Sequence, residues 1–441
     1  MIAPLAFAPT AMAADAPYIP GVDSSVAANG PTLTAPSDVL SSLVPDADSD
    51  ALVVLVPGTD DTYSPRVNSL VAGRDLTVVQ YPESFWPIIS GKSGKLPFTA
   101  PTYNDSRDVG TANTLKVMEA LKDADRVIVY TGYSQGSEAL GNAAEQAAAK
   151  GLLGSNSTIL LVSDPRGPWG VKSKLSRTPF ATPLLGLIGV SNDGARNPED
   201  TGDAKVVHVI VQGDPVGHLQ WDPLRPVSSV AVNAAGFLAI HSGTGRGSYA
   251  DLENLEQVAT FTSGNSTYQV YDTYHPFALL NAMIYESLGV PVSTEQLESW
   301  DKAAEKFYPT QEITAENADP NVPVTKVSSP TATADETDDA PAANRVAGKR
   351  RLLDDTGQWA EPQPLEGGTS SSSPRHAQVD DGTGVDAETP TEELPPAETP
   401  QDETPTAVEE DAPVTPEAPE EISAEEVDAE VVDAEQENAA A

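Results

Sequence analysis

The stretch of this sequence best equipped for chemistry is Gly132-Tyr-Ser-Gln-Gly136. A serine with glycine two places before and two places after has the spacing of a nucleophile elbow, provided a strand leads in and a helix leads out. Both signals are present. Val127-Ile-Val-Tyr130 is an apolar, β-branched run, and Ser137 to Gln146 has a helical pattern. Glycines at 132 and 136 suit a turn too sharp for a Cβ, and the free N–H groups of the following helix favour a developing oxyanion. Ser134 is therefore the expected nucleophile.

A serine nucleophile needs a base, and the base needs an orienting carboxylate. With such an elbow they follow in the order serine, acid, histidine. Asp214 lies just past the run Val206–Gln212, at the strand end where such sheets place ligands. The chain has five histidines. His275, in Tyr271-Asp-Thr-Tyr-His-Pro-Phe277 after a further strand, is the expected base, with His241 next. His208 lies inside a strand, His218 is close behind Asp214, and His376 is in the tail. For the acid, Asp222 in Trp221-Asp-Pro223 is the alternative to Asp214, and Asp272 is third. The oxyanion hole is expected from the N–H groups of Gln135 and of the loop Val56-Pro-Gly-Thr-Asp-Asp61, with Thr59 as the donor. The scattered His and Asp show no metal-ligand spacing, and the chemistry calls for no cofactor or metal.

The elements that must position these residues are short continuous apolar runs. They are Ala51–Pro57, Leu76–Gln80, Val127–Tyr130, Thr158–Val162, Val206–Gln212 and, more weakly, Thr267–Tyr271. Helical patterns alternate with them at 109–121, 137–150 and 276–288. Such alternation predicts βαβ units and a parallel sheet covered on both faces, hence an α/β fold. Two excursions break the rhythm. Residues 167–203 carry the apolar cluster Phe180–Ile188, which reads equally as a lid or acyl-chain groove and as a packed excursion. Residues 219–266 include an apolar stretch at 230–240 that predicts a helix over the site.

Composition sets further bounds. Net charge is −41, and 22 acidic residues with no Lys or Arg fall between His376 and Ala441. So acidic a chain repels phosphate, which argues against nucleic-acid binding. There is no cysteine, so no disulfide or thiolate site supports the core. Residues 1–13 read as a signal-peptide remnant, with an apolar Ile2–Ala8 and a small-x-small site before Ala14, which predicts a secreted or cell-envelope protein. Residues 14–48 read as an extended lead-in and 49–309 as the folded domain. Residues 310–441, rich in Pro, Thr, Ala, Glu and Asp, read as a disordered tail that could extend through or associate with an envelope. No run is long enough for a transmembrane span.

Four segments together resemble a known group: Gly132–Gly136, Gly213-Asp-Pro-Val216, Leu160-Leu-Val-Ser-Asp-Pro-Arg-Gly-Pro168, and Ser266–Tyr271 with His275-Pro-Phe-Ala-Leu279. They resemble the cutinase-like serine hydrolases, and more closely the PE-PPE domain of mycolic-acid-containing actinobacteria, over residues 50 to 290. One departure is that Gly217 stands where cutinases carry a cysteine. The resemblance implies an α/β-hydrolase fold and a secreted esterase or lipase acting on acyl esters through Ser134, Asp214 and His275. It equally allows acyl transfer to trehalose or another envelope glycolipid, and a non-catalytic envelope protein on the same scaffold is the third reading.

Overall fold

β-Branched and aliphatic residues in short runs bury both sides of a strand, and that pattern builds the middle of the sheet here. The computed structural model describes residues 19, 21–35, 37–61 and 65–327. The expected signal segment 1–13 and the tail beyond 327 lie outside the described residues. In chain order the elements are β1 (Ala27–Asn29), α1 (Val39–Leu43), β2 (Leu52–Val56), α2 (Pro65–Val71), β3 (Asp75–Val79) and α3 (Tyr103–Leu121). Next come β4 (Ile128–Tyr133), α4 (Gln135–Ala149), β5 (Ser157–Val162), α5 (Val171–Ser176), α6 (Ala181–Leu187) and β6 (Lys205–Val211). The last are α7 (Pro226–Gly236), β7 (Gln257–Ser263), β8 (Ser266–Tyr271), α8 (Pro276–Ser287), α9 (Thr294–Phe307) and β9 (Thr325–Val327).

The strands form one sheet in the order β1-β3-β2-β4-β5-β6-β8-β7-β9. From β3 to β8 every neighbouring pair is parallel, while β1, β7 and β9 are antiparallel additions at the edges. Side chains alternate between two faces. Val53, Leu55 and Val129 pack toward α1, α2 and α8, while Leu52, Val54, Ile128 and Tyr130 pack toward α3 and α4. Each such aliphatic side chain contributes roughly 1.5–3 kcal/mol by leaving water. This is the doubly covered, mostly parallel α/β sheet that the runs predict.

The domain limits need correction on both sides. The lead-in is not merely extended: β1 pairs with β3, and Val39, Leu40 and Leu43 of α1 are buried in the core. Residues 310–327 belong to the fold rather than to a tail. Ile313 and Ala318 pack against buried Trp169 and Phe261, the Trp169 indole donates to the Thr314 carbonyl at 2.9 Å, and β9 pairs with β7.

Candidate active site

β4 ends at Tyr133 and α4 begins at Gln135, leaving Ser134 alone on the turn with φ 55° and ψ −119°. A non-glycine residue at such angles is strained by roughly 1–3 kcal/mol, and the surroundings must enforce it. They do so by close backbone approach. A Cβ on Gly136 would lie 2.1 Å from the carbonyl oxygens of both Val56 and Pro57, and one on Gly132 would lie 2.6 Å from the Gly136 carbonyl oxygen. The Ser134 N–H donates to Val162 of β5 at 3.1 Å. The buried Gln135 side chain donates to the carbonyls of Ser84 and Tyr103 and accepts from Ser106, fixing the head of α4 to α3 and to the loop after β3.

Half-buried Ser134 meets one imidazole. His241 Nε2 is 2.9 Å from Ser134 Oγ, and His241 Nδ1 is 3.1 Å from Asp214 Oδ1. With its Nδ1 proton on the carboxylate, the ring leaves Nε2 to accept from the serine hydroxyl. His241 closes a π-turn, Phe237–His241, that continues α7. Such irregular turns swing a side chain off the regular helix face. Phe237 and Tyr133 stack on the ring at 5.0 and 5.1 Å, and the Tyr133 hydroxyl donates to the His241 carbonyl. A Cβ on Gly236 would lie 2.0 Å from the Gly213 carbonyl oxygen, so α7 rests its backbone directly on the acid loop.

Asp214 is fully buried and richly solvated by the protein. It accepts from Tyr249 O–H at 2.8 Å, from the N–H groups of Val216 and Gly217, and from the Ser163 hydroxyl, which also lies 3.1 Å from His241 Nδ1. Burial pushes the carboxyl up, but the interaction with the neighbouring His241 ring and these hydrogen bonds outweigh it and hold Asp214 below the usual carboxylate range. Burial, reinforced by the Asp214 charge, drives the Tyr249 hydroxyl well above its ordinary value, so it stays protonated as a donor.

The expected base is therefore corrected. His275 caps α8: its Nδ1 accepts from Phe277 N–H at 3.1 Å and its Nε2 donates to the Tyr308 carbonyl at 2.9 Å. Both ring nitrogens are used by backbone, and the residue ties the start of α8 to the end of α9. Asp222, the alternative acid, is also elsewhere; it pairs with Arg225 at 2.9 Å and accepts from Leu224 N–H. Asp272 accepts from the Gln212 side chain. Gln135 heads α4, where first-turn N–H groups lack intrahelical partners. Thr59 is half-buried on the loop after β2.

Arg66 braces that loop. It pairs with Asp61 and donates to the carbonyls of Ser242 and Gly243 at 2.8 and 3.0 Å, joining the segment after β2 to the residues behind His241. Sequence reasoning missed Ser163, Tyr249, Arg66 and Phe237. Only Ser163 carried a signal, as a hydroxyl at the carboxyl end of the strand beside β4. Among the described residues no group of three or more His, Asp or Glu is placed to hold a metal ion.

The sequence model of the PE-PPE domain matches residues 72–296, just over half of the chain. The chain belongs to the PE-PPE domain family. No curated protein matches the sequence. Among solved structures, this PE-PPE domain is similar to YbtT, a type II thioesterase from a yersiniabactin biosynthetic pathway, at 12% identity over 39% of this chain and 76% of that one, TM-score 0.24. It is also similar to the catalytic core domain of acetyl xylan esterase from Trichoderma reesei, at 17% identity over 44% and 96%, TM-score 0.25. An esterase from Pyrobaculum calidifontis matches at 15% identity over 59% and 79%, TM-score 0.23.

Proposed function

We propose that this PE-PPE domain hydrolyses acyl esters through a covalent acyl-enzyme, with Ser134 as nucleophile, His241 as base and Asp214 as the orienting acid. The observation that carries the reading is the unbroken hydrogen-bonded line from Ser134 Oγ through His241 to Asp214, on a strained elbow. Ser134 Oγ attacks the ester carbonyl while its proton passes to His241 Nε2. The imidazolium so formed is held by the Asp214 carboxylate, already poised as an anion. The tetrahedral oxyanion is received by the Gln135 N–H, with the Thr59 N–H as the second donor. Collapse expels the alcohol, which takes the proton back from Nε2. Water then repeats the sequence on the acyl-enzyme, and the acid leaves with Ser134 restored.

Export to the cell envelope is part of the proposal on the strength of residues 2–14; a mature chain beginning at Ala14 is the expected result of amino-terminal sequencing. The catalytic reading is tested with a fluorophosphonate probe and a p-nitrophenyl ester. Labelling on the peptide containing Ser134, abolished in Ser134→Ala together with turnover, is expected. A folded protein that neither labels nor turns over the ester would overturn the reading.

A further inference from the structure

Two of the groups that must converge on Ser134 are carried by segments from opposite directions in the sheet. Thr59 lies on the loop after β2, the strand beside β4. His241 ends the π-turn after α7, in the segment that follows β6, two strands beyond β4 in the other direction. Sheet pairing fixes neither segment, since both lie past the ends of their strands. Arg66 holds both. Its Nη2 and Nε meet Asp61 Oδ1 and Oδ2 at 2.5 and 3.2 Å, a two-pronged pair at the end of the Val56–Asp61 loop. Its Nη1 donates to the Ser242 and Gly243 carbonyls at 2.8 and 3.0 Å.

Ser242 caps the π-turn and Gly243 follows it, folded so tightly that a Cβ there would lie 1.9 Å from the Ala239 carbonyl oxygen. A cation at such a helix end is favourable. The guanidinium also lies 5.3 Å from the centre of the Tyr133 ring, which stacks on His241. Gly58 packs the loop onto that same residue, for a Cβ on it would lie 3.0 Å from the Tyr133 carbonyl oxygen. The Arg66 and Asp61 side chains are 11% and 5% exposed, so water is poorly placed to replace either partner. Among the described residues Arg66 alone donates to the Asp61 carboxylate. Burial works against the guanidinium charge, but Asp61 outweighs it and raises the group above its ordinary value. Arginine suits the place because its planar fork bonds a carboxylate with two N–H groups and presents others to neighbouring carbonyls.

We propose that Arg66 is a positioning residue for ester hydrolysis, setting the Thr59 N–H and the His241 ring at the spacing that one tetrahedral carbon on Ser134 requires. The consequence for rate rests on the hydrolase reading; the clamp itself does not. An oxyanion donor and a base act together only when both are held near transition-state geometry, and a displacement of about 1 Å can cost about a hundredfold. Loss of the fork lets the loop and the turn drift apart while the ester still binds, so the loss falls on kcat rather than on KM.

The test compares the native full chain with Arg66→Lys, which keeps the cation and loses the fork, and with Asp61→Asn, which keeps the shape and removes the partner charge. Arg66→Lys is expected to lower kcat on a soluble p-nitrophenyl ester about a hundredfold, with KM within about threefold. Hydrogen exchange followed by mass spectrometry is expected to quicken in residues 57–61 and 237–243 of this variant and not in the strands. Asp61→Asn should quicken exchange in 57–61 and leave 237–243 protected. Native kcat in Arg66→Lys, or native exchange in its two segments, would overturn the proposal, as would native exchange at 57–61 in Asp61→Asn. So would faster exchange spread through the whole domain, the mark of a merely structural role. A native chain that neither labels at Ser134 with a fluorophosphonate nor turns over ester sinks the hydrolase reading instead, and exchange in the two segments still decides the clamp.

Discussion

Ser134, His241 and Asp214 reach one point from three separate segments, and two of the three were legible in the residues. Ser134 was marked by glycines whose missing Cβ atoms the structure requires, and Asp214 by its place after a buried strand. His241 was only the second choice, because the distance from acid to base is set by an insertion whose length no local pattern fixes. His275 imitated it: a histidine after a strand and before a helix can serve as a base or as a cap, and here Phe277 N–H and the Tyr308 carbonyl make it a cap. Ser163 touches no substrate atom in the proposed reaction but holds Asp214 and the His241 Nδ1 edge together. Its hydroxyl acts as a positioning group. Ser163→Ala is expected to lower kcat about tenfold with KM and melting temperature nearly unchanged. Equal losses in kcat and stability in steady-state assays and thermal melts would make it merely structural.

At the scale of elements, the parallel interior was readable because strands buried on both faces are written as unbroken apolar runs. The edges were not. β7 reads Gln-Val-Ala-Thr-Phe-Thr-Ser, half-buried and alternating, inside a stretch taken as an excursion, and β9 lies in Pro- and Thr-rich sequence that composition assigned to a tail. β7 is held because its Ala259 and Phe261 pack with Trp169 and Tyr268, and β9 is held by pairing with β7, tertiary causes that no window of sequence contains. The π-turn after α7 was equally hidden, although the helix itself was expected. The elbow offers the sharper test of element packing. Gly136→Ala would set a methyl against two backbone carbonyls that cannot yield as a side chain would. A loss of about 3 kcal/mol or more in urea unfolding is expected, with labelling of Ser134 lost as α4 is displaced.

For the whole molecule, burial of neutral histidines makes stability depend on acid. Burial, with Arg196 assisting against Asp164, lowers His208 to about 4, and burial, with Lys174 assisting, lowers His218 to about 3. A histidine whose folded value is depressed stays neutral in the fold while the unfolded chain protonates near 6.5. Between pH 6.5 and about 4 the unfolded state therefore binds more protons, so stability rises with pH in that window and is lost on acidification, by an amount on the order of a few kcal/mol. Asp214, depressed below its usual range, adds a further loss at lower pH still. Urea midpoints measured from pH 7 to pH 4 should fall steadily, and less so in His218→Asn. A flat profile would contradict the burial argument.

The assignment of the base bears most directly on the whole account, and one pair of variants decides it. Turnover of a soluble p-nitrophenyl ester should fall by about ten-thousandfold in His241→Ala, with the fold intact by circular dichroism. His275→Ala should keep kcat within a few-fold while melting at lower temperature. A folded His241→Ala that still turns over ester, beside a folded and inactive His275→Ala, would contradict it.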